Sequence, residues 1–414
     1  MNPAPYFNNV TSESALKSRF QAENGTSIAE LELASASDWD RPHLLACRVI
    51  RRKTQPHLLP ILSQYVGPSE IQSFLPEIRA FIEGPDLTLM DQSEHYMIRN
   101  FNGGISLAQV WAALAMFKGC QDRHRYEEQH EYATDNEGAM EDEEDGAGKE
   151  DGEEHEGETE DEERQSKRRR MNTSQPGFID SQGMRVGSSS PLPEGSGSQG
   201  SSLGYVDPDT HRLAIKPEGD TLRLVSCVIR HILYFAPPQN PALLPIVVEF
   251  RDAQSRMTAT TINARYQMVA IDDGGLCLRR QKSGGGFKLA KRHVAILEAK
   301  PQFQWVEDGI PTISDRSFAQ MVCEALATRL SDRGDRLLES VIIIHAAQLY
   351  ICFLQMDVSD SYIHTFDNSL PTENLYVSAT PWFDLGQKSG RESVLANLCG
   401  IMNRAISDEA LLLS

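Results

Sequence analysis

One segment, residues His293 to Lys300 (HVAILEAK), restricts what this chain can fold into more than any other. Side chains alternate between faces along a strand, so Glu298 and Lys300 emerge together while Leu297 and Ala299 point the other way. Apolar residues on both faces suit a strand in the middle of a sheet. An acid and a base at the end of such a strand are costly to bury unless they pair or hold a metal.

Charge shows where folded structure is to be expected. The chain of 414 residues carries a formal charge of -19, and 17 Asp or Glu with one Lys lie between Asp135 and Glu163. That run holds -16 of the total, which leaves -3 for everything else, so the folded parts are near neutral. From 126 to 216 the apolar periodicity is lost: the acidic run is followed by Lys167 to Arg170 (KRRR) and then a Gly/Ser/Pro segment ending near Gly204. Low hydrophobicity with high charge cannot offset the entropy of ordering, so a disordered connector is predicted there. It would separate a mostly helical region, 1–125, from a second folded unit, 217–414. The short basic cluster has the look of a nuclear import signal. The polyanion would suit a basic protein partner such as a histone, or serve as a solvated spacer.

Seven cysteines are scattered without C-x-x-C spacing, which argues against a disulfide framework and against zinc, and fits reduced core thiols of the nucleus or cytosol. The first residues (MNPAPYF) lack a basic n-region and an apolar h-region, so no secretory signal is predicted. The longest apolar stretch, Val341 to Leu354, is interrupted by His345 and Gln348 and is too short to span a bilayer. A soluble intracellular protein with no membrane partner is the expectation.

Periodicity orders the elements. In the N-terminal region, Leu107, Val110, Trp111, Leu114 and Phe117 fall on one helical stripe, with Ser106 as a plausible cap and Gly119 as a stop. After the connector, Asp220 can cap a helix with Leu222, Val225, Ile229, Ile232 and Leu233 on its apolar face, ended by Pro237 and Pro238. Strand-like segments follow at 246–250, 257–262, 266–271, 276–280 and 294–300, with turn chemistry at Asp272 to Gly275 and Ser283 to Gly286. A helix over 314–330, a strand pair at 340–345 and 349–356, and a last helix over 391–406 complete the pattern. Helices on both sides of a mixed sheet are expected, an α/β sandwich.

Phosphodiester hydrolysis needs a metal to polarise the phosphate and supply hydroxide, and a cation to stabilise developing charge. Carboxylates suit Mg²⁺, which keeps several waters and takes one or two protein carboxylates. Glu298 can supply one ligand and Lys300 the positive charge; Asp272 and Asp273 stand at a neighbouring strand end, either able to give the second ligand.

An acidic residue at a strand turn, then E-x-K closing an apolar strand, then a helix carrying Gln320 resembles the PD-(D/E)xK nuclease superfamily, the restriction-endonuclease-like fold, in the manner of its fungal members. The resemblance spans about 217 to 410. It implies a Mg²⁺- or Mn²⁺-dependent nuclease acting on DNA or RNA, with Asp273 and Glu298 as metal ligands, Lys300 as the catalytic cation and Gln320 in support. No Pro precedes the acidic residue, since Ile271 and Asp272 stand where Pro-Asp would be, so Asp272 and Asp273 both remain candidates. A catalytically inactive nuclease fold that binds protein or nucleic-acid partners is the other reading.

Further signals are less specific. Arg279, Arg280, Lys282, Lys288, Lys291 and Arg292 form a basic set with no acid between them, suited to the phosphate backbone of a nucleic acid. Gln320 and Glu324 share a helix face that looks either to the site or to water. Glu249 is a further possible ligand or an edge-strand charge. His345 reads as a core histidine. The G-x-G-x-x-G match at Gly195 to Gly200 has no strand before it and is not a dinucleotide site.

Overall fold

The computed structural model describes residues 4–66, 75–117, 217–236, 245–307, 310–331, 339–368 and 371–413. The acidic run, the Lys167 to Arg170 cluster, the Gly/Ser/Pro segment, Gly119, Pro237 and Pro238 lie outside the described residues. Twelve strands form among the described ones: β1 (Val49–Arg51), β2 (Ile246–Arg251), β3 (Arg256–Thr260), β4 (Gln267–Ile271), β5 (Gly274–Gln281), β6 (Phe287–Lys300), β7 (Trp305–Glu307), β8 (Ile310–Thr312), β9 (Ser340–Ala347), β10 (Tyr350–Asp357), β11 (Leu375–Ala379) and β12 (Phe383–Asp384).

Eight strands make one mixed sheet in the order β1-β11-β10-β9-β6-β5-β2, with β12 also paired to β10. The apolar run forms the second half of β6, parallel to β9 and antiparallel to β5. It is therefore interior, as its apolar residues on both faces require. The ribbons β3–β4 and β7–β8 stand outside this sheet. The protein is mixed α/β, with helices on both faces of the sheet.

Alternation along the central strands feeds two cores. Ile296 and Ile343, paired in register, belong to one; Ala295, Leu297, Ile342 and Ile344 belong to the other. The first core is closed by the helix Asp315–Ser331, the β3–β4 ribbon and N-terminal residues from Tyr6 to Ile50. The second is closed by the helices Pro76–Glu83, 105–117, Glu218–Phe235 and Lys388–Leu413. Each fully buried Leu, Ile or Phe side chain contributes about 1.5–3 kcal/mol relative to exposure, so these two layers hold the sheet. Glu298 follows the parity of Ile296 and faces the Asp315–Ser331 helix.

The expected separation of a helical N-terminal unit from the rest does not match this arrangement. Val49, Ile50 and Arg51 pair with Leu375, Tyr376 and Val377, so the N-terminal region supplies an edge strand of the main sheet. The Tyr6 hydroxyl donates to the Val49 carbonyl at 2.8 Å, and the Tyr6 N–H donates to Asp315 at 2.6 Å. Phe81 and Trp111 are buried in the second core together with Ile229 and Leu398. The described residues on either side of the connector make one unit.

Smaller differences have local causes. Pro217 itself occupies the cap of the Glu218–Phe235 helix, with an extended ψ of 145°, so Asp220 lies in the first turn rather than at the cap. The 105–117 helix starts after Gly104, which has a φ of +87°, and Ser106 is inside it; the stripe from Leu107 to Phe117 is buried as expected. β6 starts at Phe287 rather than Val294, because its polar first half pairs with β5 as a hairpin. Six described cysteines are free thiols, all buried except the half-buried Cys227. Among the described residues no helix is long and apolar enough to cross a membrane.

Candidate active site

The end of β6 gathers four of the predicted side chains. Lys300 Nζ lies 2.6 Å from Glu298 Oε1 and donates to Gln320 Oε1 at 3.2 Å. The Gln320 amide nitrogen donates to Glu298 Oε1 at 2.7 Å and to Glu324 Oε1 at 3.0 Å. Gln320 thus ties the helix Asp315–Ser331 to the strand, and its i,i+4 partner Glu324 faces the site rather than water. Asp273 Oδ2 accepts from the Ala299 N–H at 2.9 Å, alongside the residue between Glu298 and Lys300.

The two neighbouring aspartates divide their roles. Asp272, fully buried, accepts from Arg251 at 3.0 and 2.6 Å and from the Ser255 N–H at 2.8 Å, with His293 Nε2 at 3.9 Å. Its oxygens are spent on locking the β2–β3 turn. Asp273 points the opposite way, toward β6, with Gln254 Nε2 at 3.4 Å from its other oxygen. Of the two, Asp273 is the one that contacts β6 beside Glu298 and Lys300. Gly275 makes the approach possible: it has a φ of +154°, and a Cβ there would stand 2.3 Å from the Ala295 carbonyl oxygen.

Burial dominates the electrostatics. It raises the Glu298 carboxyl to about 7, more than the adjacent Lys300 ammonium lowers it, and the Asp273 charge pushes the same way. Glu324 lies well above the carboxylate range, through burial and then the Glu298 charge. Asp273 is raised by burial, offset in part by the Ala299 N–H and Lys300. For Lys300, burial acts downward, and Glu298 more than compensates, so the ammonium is held above its ordinary value. His345 is lowered to about 4, chiefly by burial; its Nδ1 lies 3.0 Å from the Glu298 carbonyl oxygen and its ring packs on Trp382. It is a core histidine, as read from the sequence.

Neither Glu298 Oε2 nor Glu324 Oε2, both buried, meets a hydrogen-bond donor. Leaving such oxygens bare is costly, so the pair calls for a proton or a cation. Oxygen donors of this kind fit a hard divalent ion. Among the described residues, no three His, Cys, Asp or Glu side chains are grouped so as to enclose a metal ion. A site of the Mg²⁺ type, with one or two carboxylates and retained water, does not need three.

Two predictions do not join this cluster. Glu249 forms a surface ion pair with Arg279 at 2.6 Å on edge strand β2, and is not among the site's partners. The basic set was expected beside the site, but it occupies the far half of the β5–β6 hairpin. Gly274 pairs with Leu297 at the site end and Gln281 with Phe287 near the tip, which places the tip about 23 Å away at 3.3 Å per residue. Arg280 is paired with Glu409 at 3.2 Å, whereas Lys282, Lys288 and Arg292 are exposed and Lys291 half-buried.

Sequence reasoning did not find the Arg251, Ser255 and His293 cage around Asp272, nor the Gln254 contact to Asp273. Both depend on how the β3–β4 ribbon folds back, which leaves no periodic trace. No protein-family model and no curated protein matches the chain.

Proposed function

We propose that the chain is a metal-dependent nuclease with the PD-(D/E)xK, restriction-endonuclease-like core, hydrolysing phosphodiester bonds of DNA or RNA. The observation that carries this reading is the convergence of Asp273, Glu298, Lys300 and Gln320 at one strand end, with a buried Glu298 oxygen left without a donor.

In this reading Asp273 and Glu298 hold a Mg²⁺ or Mn²⁺ ion, which when bound polarises the phosphate and supplies hydroxide. Lys300, paired to Glu298 and Gln320, keeps one N–H for a phosphoryl oxygen and stabilises the charge that develops there. Gln320 fixes the Glu298 carboxylate and the Lys300 ammonium in one geometry, so neither needs to reorganise during the reaction. The exposed residues Lys282, Lys288 and Arg292, with Lys291, would meet the backbone of the substrate some distance from the scissile bond.

Cleavage assays on single- and double-stranded DNA and RNA with Mg²⁺ or Mn²⁺ test the proposal. Wild type should cut at least one substrate, and Glu298→Ala and Lys300→Ala should cut none while still binding it. Unchanged metal-dependent cleavage by Lys300→Ala would count decisively against the assignment. The closed Lys300–Glu298 pair favours a second reading, in which the same fold binds partners without catalysis. Absence of cleavage by wild type on every substrate, with binding retained in the triple alanine variant at 273, 298 and 300, would support it.

A further inference from the structure

We propose that the tip of the β5–β6 hairpin enters the major groove of duplex DNA, with Phe287 leading against base edges, Leu289 behind it, and Lys282, Lys288 and Arg292 on the flanking phosphates. This inference rests on the reading of the chain as a nucleic-acid protein, and it concerns a surface that holds none of the groups read as catalytic.

Strand β6 is buried from His293 to Ala299, whereas residues 282–290 are exposed without interruption. Side chains alternate along a strand, so exposure of successive residues means that both faces meet solvent there. β9 pairs only with residues from Ile296 to Lys300, and β2 pairs with β5 only as far as Arg280. Beyond the bond from the Gln281 N–H to the Pro245 carbonyl, no described strand flanks the hairpin. What projects is two strands wide and ends in a tight turn, in which the Lys282 N–H donates to the Gly286 carbonyl at 2.9 Å.

Paired strands lie about 4.8 Å apart, and the major groove of B-form DNA, about 12 Å wide and 8.5 Å deep, admits such a ribbon. At about 3.3 Å per residue the groove takes in roughly three residues of each strand, which is the reach from Phe287 to the turn. The tip would lie about seven base pairs along the duplex from the strand-end cluster, at about 3.4 Å for each.

The side chains select the partner. No acid lies between Gly274 and Leu297, and Arg279 and Arg280 already have carboxylate partners in Glu249 and Glu409. Lys288 and Arg292 on an open flank, together with two register shifts in the β5–β6 pairing, oppose the addition of a further strand. The partner is therefore a polyanion and not a second copy of this chain. Phe287 and Leu289, 36% and 44% exposed on one face, have nothing to gain from phosphate but fit base edges and the thymine methyl group. The major groove of duplex RNA is too deep and narrow for side chains to read.

Binding is measured by fluorescence anisotropy in the presence of a chelator, with the full chain and duplex DNA, duplex RNA and single-stranded DNA of one sequence. Wild type should bind duplex DNA at least tenfold more tightly than duplex RNA. The double variant Phe287→Thr, Leu289→Thr keeps the strand preference of both positions and should lose at least tenfold on duplex DNA. A double variant that binds duplex DNA as wild type does overturns the inference, as does equal or tighter binding of duplex RNA or single-stranded DNA by wild type. Cross-linking of wild type to a duplex carrying 5-iododeoxyuridine, whose iodine lies in the major groove, requires no variant to fold. Cross-links should fall on Phe287 and its neighbours in the hairpin, and cross-links found only elsewhere overturn the inference. Chelation keeps this result apart from cleavage. If wild type cleaves but the double variant binds as wild type does, the nuclease reading stands and the groove contact falls; hairpin-dependent duplex binding without cleavage of any substrate does the reverse. If wild type binds no nucleic acid, both fall.

Discussion

Lys300 and Glu298 form an ion pair of 2.6 Å in which the carboxylate is almost wholly sheltered from solvent and the ammonium only a little less so. Pairing at this depth is a poor source of net stability, because the desolvation of both ions offsets most of their attraction. Its value lies in keeping a charged acid and base in fixed positions.

Replacing Lys300 by Met strands Glu298 without its counter-charge. Breaking a buried pair costs about 3–5 kcal/mol when the remaining group stays ionised. Glu298 can take up a proton instead, and at pH 5.5 it already largely carries one. Thermal unfolding of metal-free Lys300→Met should therefore show a larger loss at pH 8 than at pH 5.5. Equal losses at the two values would contradict the pairing.

Asp272 and Asp273 should separate stability from metal binding. Asp272→Asn leaves Arg251 buried with a weakened partner and should cost about 3 kcal/mol or more. Asp273→Asn should change stability by less than half as much, while weakening Mn²⁺ binding. Denaturant unfolding and metal titration of both variants provide the comparison, and a reversed pattern would move the ligand to Asp272.

The folded-state value of about 7 for Glu298 lies above the ordinary carboxylate value near 4.3. The folded protein then binds this proton more tightly than the unfolded chain, so the contribution is full at low pH and is lost as pH rises toward 7. His345, lowered to about 4, acts in the opposite sense over much of the same window, losing stability as pH falls below about 6.5. His345 is common to wild type and Glu298→Gln, so their difference isolates Glu298. In metal-free protein, Glu298→Gln should gain stability relative to wild type as pH is raised from 4.5 to 7. A difference that is flat across this range would refute the shift.

Gly275→Ala tests the close approach of β5 to β6. The added Cβ meets a backbone oxygen that cannot rotate away. A loss of about 1–3 kcal/mol is expected from overpacking, together with weaker Mn²⁺ binding, because Asp273 must shift with its strand. Wild-type melting would show that the strands tolerate the spacing.

The basic hairpin should govern substrate affinity and not the metal. Converting Lys282, Lys288 and Arg292 to Glu should weaken nucleic-acid binding and flatten its dependence on salt. On duplex DNA the slope of log K against log salt should fall by about 0.9 for each phosphate that is no longer neutralised. Mn²⁺ affinity should be unchanged.

Much of the central layer could be read from the chain because its signals are local. The two-faced apolar run placed β6 inside the sheet, and its period of two put Glu298 and Lys300 on one face. The helix through Phe318, Met321 and Leu326 lay where its period of 3.6 required. The edge was hidden for the opposite reason. β1 has three residues, too few for a pattern, and its partner β11 lies more than 300 residues further along the chain. Whether Asp272 or Asp273 faces β6 was equally hidden, since alternation assigns them to opposite faces without saying which. Glu324 was visible only as a neighbour of Gln320; no sequence spacing distinguishes a helix face turned to a site from one turned to water.

The parallel pairing of β1 with β11 has a practical consequence for anyone cutting the gene. A fragment starting at Pro217 would carry every polar group of the site yet leave β11 with a bare flank, and Asp315 without Tyr6 and Arg41, its partners at the head of the helix. Such a piece is a candidate for sticking to itself through that flank. Supplying residues 1–125 as a separate polypeptide should restore its solubility.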